Sequence, residues 1–271
     1  MKILIITGSG LRHTFFRKAI ALDPSITVLK AYCEETTKNL QSTINYNNQD
    51  SDIQVTHLAQ REQSEKDFFL PFISLTPNLS SSMYIPFGEV NKQNIYNEMI
   101  QLNPDLIVAY GCSLIKKRLI KAFEGKFLNV HLGLSPYYRG TATNFWPLVN
   151  NEPEYVGATF MYIDEGIDTG EIIHQIRPTI IPGDTPHQIG NRLISEMVLC
   201  YIKIINNIKK LKRFPYPNGN IKSKLYFRKQ FSPESVHQLY NNFKHGMIDD
   251  YLINKQQRDK NVPIFKQAFM D

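Results

Sequence analysis

Apolar and polar positions alternate in blocks along the first hundred residues. Residues 2–7 (KILIIT) form a short apolar run, and Gly8, Ser9 and Gly10 follow it as a tight turn. A run of this length bounded by glycines reads as a buried strand. Residues 15–22 carry helical spacing and residues 26–32 read as a second strand. Residues 34–64 are polar and rich in Asn, Gln, Ser and Thr. They fit either an exposed excursion or the start of a long amphipathic helix. Apolar anchors return at 68–73, with strand signals at 83–85, 105–110 and 127–132 and helical ones near 94–102 and 114–123. Residues 143–149 look helical and place Trp146 in the core; residues 157–163 and 172–181 read as strands. The longest helical period runs through 186–210, where Ile189, Leu193, Met197, Tyr201 and Ile204 recur at three- and four-residue steps. Asp184 and Thr185 precede it as cap candidates. After residue 214, Pro215, Pro217 and Gly219 punctuate the chain; a strand at 223–227 and short helices at 233–243 and 245–252 follow. Strands alternating with helices predict an α/β class with a mostly parallel sheet flanked by helices. The expected division is a large domain over 1–212 and a small C-terminal extension over 213–271.

Composition changes this picture little. The chain has 271 residues, 42% hydrophobic and 21% charged, which is ordinary for a soluble globular protein. Cys33, Cys112 and Cys200 are odd in number and form no C-x-x-C pair, so a reducing, cytoplasmic location is expected. The apolar run at 3–6 falls far short of the roughly 18 residues that span a bilayer, so neither a membrane segment nor a signal peptide is expected. Net charge is +6, which suits anionic partners such as nucleic acid, nucleotide-linked substrates or polyanionic cofactors without choosing among them. The basic run Lys209, Lys210, Lys212 and Arg213 reads as a solvated helix end. A dinucleotide fingerprint would need glycine at position 13, where His13 stands, so NAD is not expected. The Gly8–Ser9–Gly10 backbone could bind an anion or be a purely structural turn.

The chemistry concentrates between residues 129 and 171. Asn129 and His131 lie two apart on a predicted strand, so both side chains point to one side. Gly133 and Pro136 end that strand, which places the pair near its carboxyl end, where open parallel sheets bind ligands. Asp164, Glu165 and Asp168 fall in the DEGIDTG loop after the next strong strand, with Gly166 and Gly170 allowing sharp turns. An aspartate held against His131 would fix its tautomer and raise its pKa. No activated Ser or Cys stands beside a base, and no second histidine sits at metal-ligand spacing. An amide, an imidazole and a carboxylate suit attack by an external amine on a carbonyl, with Asn129 and His131 stabilising the oxyanion and His131 with a carboxylate managing protons. At this point Asp164 and Asp168 both remain open. His174, His187, His237 and His245 share no spacing and read as structural or exposed.

The N-x-H strand, the S-P-Y-Y-R-G turn and the D-x-G-x-D-T-G loop together resemble the formyltransferases that use N10-formyltetrahydrofolate. The resemblance covers about residues 80–180. It implies a Rossmann-like fold, a triad of Asn129, His131 and Asp168, and no metal. It implies a folate pocket between 110–115 and 162–168, drawing on Tyr110, Ser113, Leu114, Ile115, Tyr162, Ile163, Asp164 and Gly166, with backbone groups near Leu114, Ile163 and Asp164 holding the pterin. Gly8, Ser9 and Gly10 would face the phosphate or sugar of the amine substrate; Tyr137, Tyr138 and Arg139 are further substrate candidates, although Arg139 could equally serve a loop ion pair. The glycinamide ribonucleotide enzymes usually carry H-P-S-L-L-P where this chain has H-L-G-L-S-P, and the methionyl-tRNA enzymes carry a C-terminal barrel. The aromatic and basic tail YFRKQFSPESVHQLYNNF looks like the sugar N-formyltransferases. The expected acceptor is therefore a nucleotide-linked amino sugar, as in lipopolysaccharide biosynthesis, with nucleic acid not expected and a homodimer possible. Formylation of methionyl-tRNA, a silent folate- or nucleotide-binding module, and hydrolysis of the formyl donor are the alternatives.

Overall fold

Residues 3–6 bury every side chain, and alternate ones enter opposite layers. Ile3 and Ile5 join one apolar cluster, Leu4 and Ile6 another. A strand covered on both faces must look this way. The computed structural model of the chain describes residues 1–35, 40–46, 50–217 and 223–270. Among the described residues nine strands are formed: β1 (Lys2–Gly8), β2 (Thr27–Glu34), β3 (Ser82–Ile85), β4 (Leu106–Tyr110), β5 (Phe127–His131), β6 (Tyr138–Gly140), β7 (Ala158–Tyr162), β8 (Ile172–Ile176) and β9 (Lys224–Tyr226). Eight α-helices accompany them among the same residues: α1 (Leu11–Ala21), α2 (Asp52–Leu75), α3 (Gln93–Leu102), α4 (Lys117–Ala122), α5 (Trp146–Val149), α6 (Pro186–Asn207), α7 (Pro233–Lys244) and α8 (Met247–Asn261).

Seven strands make one sheet in the order β3-β2-β1-β4-β5-β7-β8. All pairs are parallel except β5 with β7 and β7 with β8, so β7 alone runs against the rest. This is a Rossmann-like α/β fold. The strand order reverses between β1 and β4, and a crevice opens there beyond the carboxyl ends. One face of the sheet carries Phe16 and Ile20 of α1 and the row Ile189, Leu193, Met197, Tyr201 and Ile204 of α6. The other carries Ile95 and Met99 of α3 and Leu119 of α4. Leu239 of α7 and Met247, Ile248 and Tyr251 of α8 share the first cluster, so the C-terminal residues bury their apolar faces in the same core as the sheet.

Several expectations shift. The polar stretch 34–64 yields the start of α2 from Asp52 onward, the helix-start alternative for that part; residues 36–39 and 47–49 lie outside the described residues. Of the expected strand 172–181 only Ile172–Ile176 forms, because Pro178 removes a ladder donor and restricts Arg177 before it. The helix expected over 114–123 shrinks to α4, and that over 245–252 lengthens to α8. Strand β6 was not expected; it pairs in parallel with β9 from the C-terminal extension. Gly219 lies outside the described residues. Among the described residues no helix is long and apolar enough to cross a membrane.

Candidate active site

Leu128 and Val130 of β5 point into the core beneath α6. Period-two alternation leaves Asn129 and His131 on the opposite face, where both line a cleft of about 720 Å³. His131 is buried, with Nε2 3.2 Å from the carbonyl oxygen of Tyr138 and Nδ1 3.3 Å from Oδ2 of Asp168. A proton on either ring nitrogen therefore meets an oxygen acceptor. Gly133 makes room for the ring: a Cβ there would lie 2.6 Å from His131 Nε2 and 2.8 Å from Thr143 Cβ. The Asn129 amide lines the same cleft and makes no hydrogen bond to any described residue.

Asp168 reaches His131 by a doubling back of its loop. Tyr162 pairs with Leu128, and the Ile163 N–H donates to the Phe127 carbonyl at 2.9 Å, so the loop departs from the entering end of β5. It must return along the strand to bring Asp168 to His131. Asp168 takes the left-handed backbone at φ 55, a region that aspartate tolerates better than most side chains. Gly170 closes the loop so tightly that a Cβ would sit 1.8 Å from the Tyr162 carbonyl oxygen. Asp164 faces elsewhere: its carboxylate accepts from the Gly166 N–H at 3.0 Å and the Thr169 hydroxyl at 2.9 Å. The choice between the two aspartates that spacing left open thus has a geometric counterpart.

The cleft runs between this loop and the chain following β4. Tyr110, Ser113, Leu114 and Ile115 line it on one side, and Tyr162, Ile163, Asp164 and Gly166 on the other. Ser113 is fixed by the buried carboxylate of Glu34, which accepts from its N–H at 2.6 Å and its hydroxyl at 2.8 Å. Two of the expected pterin-binding backbone groups are engaged within the protein: the Ile163 N–H as above, and the Leu114 carbonyl, which accepts from the Asn91 amide at 3.0 Å. Leu114 is 69% exposed and Ile167 60% exposed at the cleft. Large apolar side chains left in water beside a concave site suit a ligand with a planar aromatic face. Burial pushes the Cys112 thiol, also at the cleft, up to about 12, so it stays protonated near neutrality and is no nucleophile.

Of the expected substrate residues Gly8 lines the cleft; Ser9, Gly10, Tyr137, Tyr138 and Arg139 do not. The Tyr137 hydroxyl donates to the Pro263 carbonyl at 3.0 Å, Tyr138 donates to Glu152, and the Arg139 Nε–H donates to Ser223 Oγ at 3.0 Å. These three tie the turn after β5 to its surroundings.

Sequence reasoning missed a second wall. Arg12 and His13 of α1, His57, Arg61 and Glu65 of α2, and His187 of α6 all line the cleft. His57, Arg61 and Glu65 stand four residues apart in turn, which on a helix is one face; that spacing was readable inside the polar stretch. His187, expected to be structural or exposed, packs against His57 with ring centroids 4.7 Å apart. Burial, aided by Arg61 and the neighbouring histidine, lowers His57 to about 3; burial and then Arg61 lower His187 to about 4. His13 is likewise held well below its usual range by burial and by Arg12, Arg17 and Arg61. All three are neutral near pH 7. Among the described residues no group of His, Cys, Asp and Glu could hold a metal ion.

Comparison with known proteins agrees with this geometry. A family model described as formyl transferase matches residues 36–205, more than half the chain. The methionyl-tRNA formyltransferase of Finegoldia magna is 32% identical over 132 residues, covering 47% of this chain and 42% of that protein. The GDP-perosamine N-formyltransferase of Brucella melitensis is 32% identical over 116 residues, covering 42% of this chain and 44% of that protein. The match thus spans less than half the length of these relatives. In fold the chain is similar to a sugar N-formyltransferase from a Shewanella species, with a TM-score of 0.55, 16% identity, and coverage of 88% of this chain and 87% of that one. It is also similar to a phosphoribosylglycinamide formyltransferase from Anaplasma phagocytophilum, with a TM-score of 0.52, 15% identity, and coverage of 77% and 86%. With a matching family model and the N-x-H strand set against the D-T-G loop in one cleft, the chain belongs to the formyl transferase family.

Proposed function

We propose that this protein moves a formyl group from N10-formyltetrahydrofolate to the amine of a nucleotide-linked amino sugar. The observation that carries this reading is the convergence of Asn129, His131 and Asp168 on one cleft, with Asp168 3.3 Å from the imidazole and the Asn129 amide uncommitted. The apolar walls at Leu114 and Ile167 and the polar backbone turn at 110–115 fit a pterin ring with its edge of donors and acceptors. N10-formyltetrahydrofolate supplies the electrophilic formyl carbon when bound. Asn129 donates its amide N–H to the formyl oxygen, where negative charge builds during attack by the neutral amine. Two or three aimed donors in a site that excludes water stabilise such a charge far more than they would in solution. His131 lines the same wall of the cleft, and Asp168, 3.3 Å from its Nδ1, holds the ring in register as the imidazole handles protons that leave the amine and reach the departing nitrogen.

The acceptor reading is supported by the relative from Brucella melitensis, whose name specifies a GDP-linked amino sugar. A second reading is formylation of methionyl-tRNA, favoured by the Finegoldia magna relative. The described residues after 213 form two α-helices, a short 3-10 turn and one three-residue strand, with no barrel among them. Incubation with N10-formyltetrahydrofolate and a panel of nucleotide-linked amino sugars, with initiator methionyl-tRNA alongside, separates the two. Formyl-sugar product is expected. Formylated tRNA with no sugar product would overturn the acceptor reading, and free formate without any acceptor would favour hydrolysis.

A further inference from the structure

Three arginines line the cleft, and they come from three parts of the chain: Arg12 on α1, Arg61 on α2 and Arg228 just after β9. Arg12 Nη1 and Arg61 Nε share a single oxygen of Glu65, at 3.2 and 3.1 Å. One carboxylate thus offsets one of two guanidinium charges, and among the described residues most of their N–H donors stay uncommitted. Arg228 is half-buried, and its side chain makes no hydrogen bond or ion pair among the described residues. The remaining carboxylates of the cleft are occupied. Glu34 holds Ser113 and the Gly88 N–H, Asp164 holds its own loop, and Asp168 faces His131.

Arg228 is also firmly carried. Tyr226, two residues before it, stacks on Trp146 with ring centroids 4.4 Å apart, and its carbonyl accepts from the Thr141 N–H at 2.9 Å. Phe231, three residues after it, accepts at its carbonyl from the Gln54 amide at 2.9 Å. The Tyr240 hydroxyl of α7 donates to Gln60 at 2.8 Å and so accepts from His57 Nδ1 at 3.0 Å. The C-terminal extension is bolted to both the segment after the catalytic strand and the arginine-bearing helix. A guanidinium with a fixed base and free donors is preorganised for a phosphoryl group, whose oxygens match its fork.

The geometry points to Arg228 as an acceptor-binding residue that, with Arg12 and Arg61, grips the phosphoryl oxygens of the acceptor's diphosphate while the amine reaches towards His131. This rests on the reading of the acceptor as a nucleotide-linked sugar. It gives the C-terminal extension a place in acceptor recognition.

The test uses the full chain as wild type, R228Q, R228K and K229Q; Lys229 is the exposed neighbour that does not line the cleft. Binding of UDP, dTDP and GDP is measured by calorimetry without donor, 5-formyltetrahydrofolate binding is measured separately, and melting temperatures check folding. R228Q is expected to weaken the preferred diphosphate about 10- to 30-fold. It should raise acceptor KM by a similar factor, with kcat and 5-formyltetrahydrofolate affinity unchanged. R228K should fall between and K229Q should match wild type. Unchanged diphosphate affinity in a folded R228Q, a loss in kcat alone, or an equal effect of K229Q would overturn the assignment. Wild type that binds none of the three diphosphates yet formylates methionyl-tRNA would also overturn it, while formyl transfer itself stands. Wild type that binds a diphosphate through Arg228 but transfers no formyl group would instead remove the proposed activity.

Discussion

Asn129 and His131 stand two residues apart, and the two-residue period of a strand suffices to put them on one face. Substitution of His131 by alanine is expected to lower kcat about 10²- to 10⁴-fold, and Asn129→Ala about 10²- to 10³-fold. Steady-state kinetics alongside a 5-formyltetrahydrofolate titration checks both; donor affinity lost in parallel would make the residue structural. A subtler variant is Gly133→Ala. Its methyl would press on His131 Nε2 from 2.6 Å, displacing the ring rather than removing it. An offset of about 1 Å in a reacting group can cost about 100-fold, so kcat should fall by that order, and a near-normal kcat would show that the ring tolerates the intrusion. At this scale the sequence carried the shared face of Asn129 and His131. It carried Asp168 only through family likeness, because the distance between Asp168 and His131 depends on a loop doubling back along β5, and no local pattern encodes that return.

Elements were legible where one layer covers them. The α6 row of Ile189, Leu193, Met197, Tyr201 and Ile204 is buried along its length, and it was plain as a helical period. Its start was plain too. The Thr185 hydroxyl accepts from the Gln188 N–H at 3.2 Å, and the Gln188 amide oxygen accepts from the Thr185 N–H at 2.9 Å, a capping box. Thr185→Ala is expected to cost about 1 kcal/mol of stability, measured by urea unfolding; no change would mean that neighbouring contacts hold the first turn unaided. Helix α2 was harder to see. One stripe faces α1 and α6, another faces the polar cleft through His57, Arg61 and Glu65, and a third faces water, so most of its first half is polar whichever way it points. Strand β6 is three residues long and exists only because β9 comes to it from 86 residues away, a separation local reading does not bridge.

For the molecule as a whole, the neutral histidines of the cleft set an acid limit. His57 and His187 ionise near 3 and 4 in the folded chain, against 6.5 for the free side chain. Above pH 6.5 neither folded nor unfolded chain binds these protons, and the full stability is present. As pH falls below that value, the unfolded chain takes up protons that the folded one refuses. Each histidine then removes about 1.4 kcal/mol per pH unit until its folded value is reached. Urea unfolding at several pH values between 7 and 5 is expected to give a shallower decline for His57→Gln than for wild type; parallel slopes would show that His57 is not held neutral. The two-stranded pairing of β6 with β9 has a further consequence. Tyr138 begins β6 and also supplies the carbonyl that meets His131 Nε2. The tail is therefore not an interchangeable module. A chimaera that grafts a relative's tail onto this chain would have to carry the matching residues 138–140 with it, or the transplanted segment would leave the imidazole without its seat.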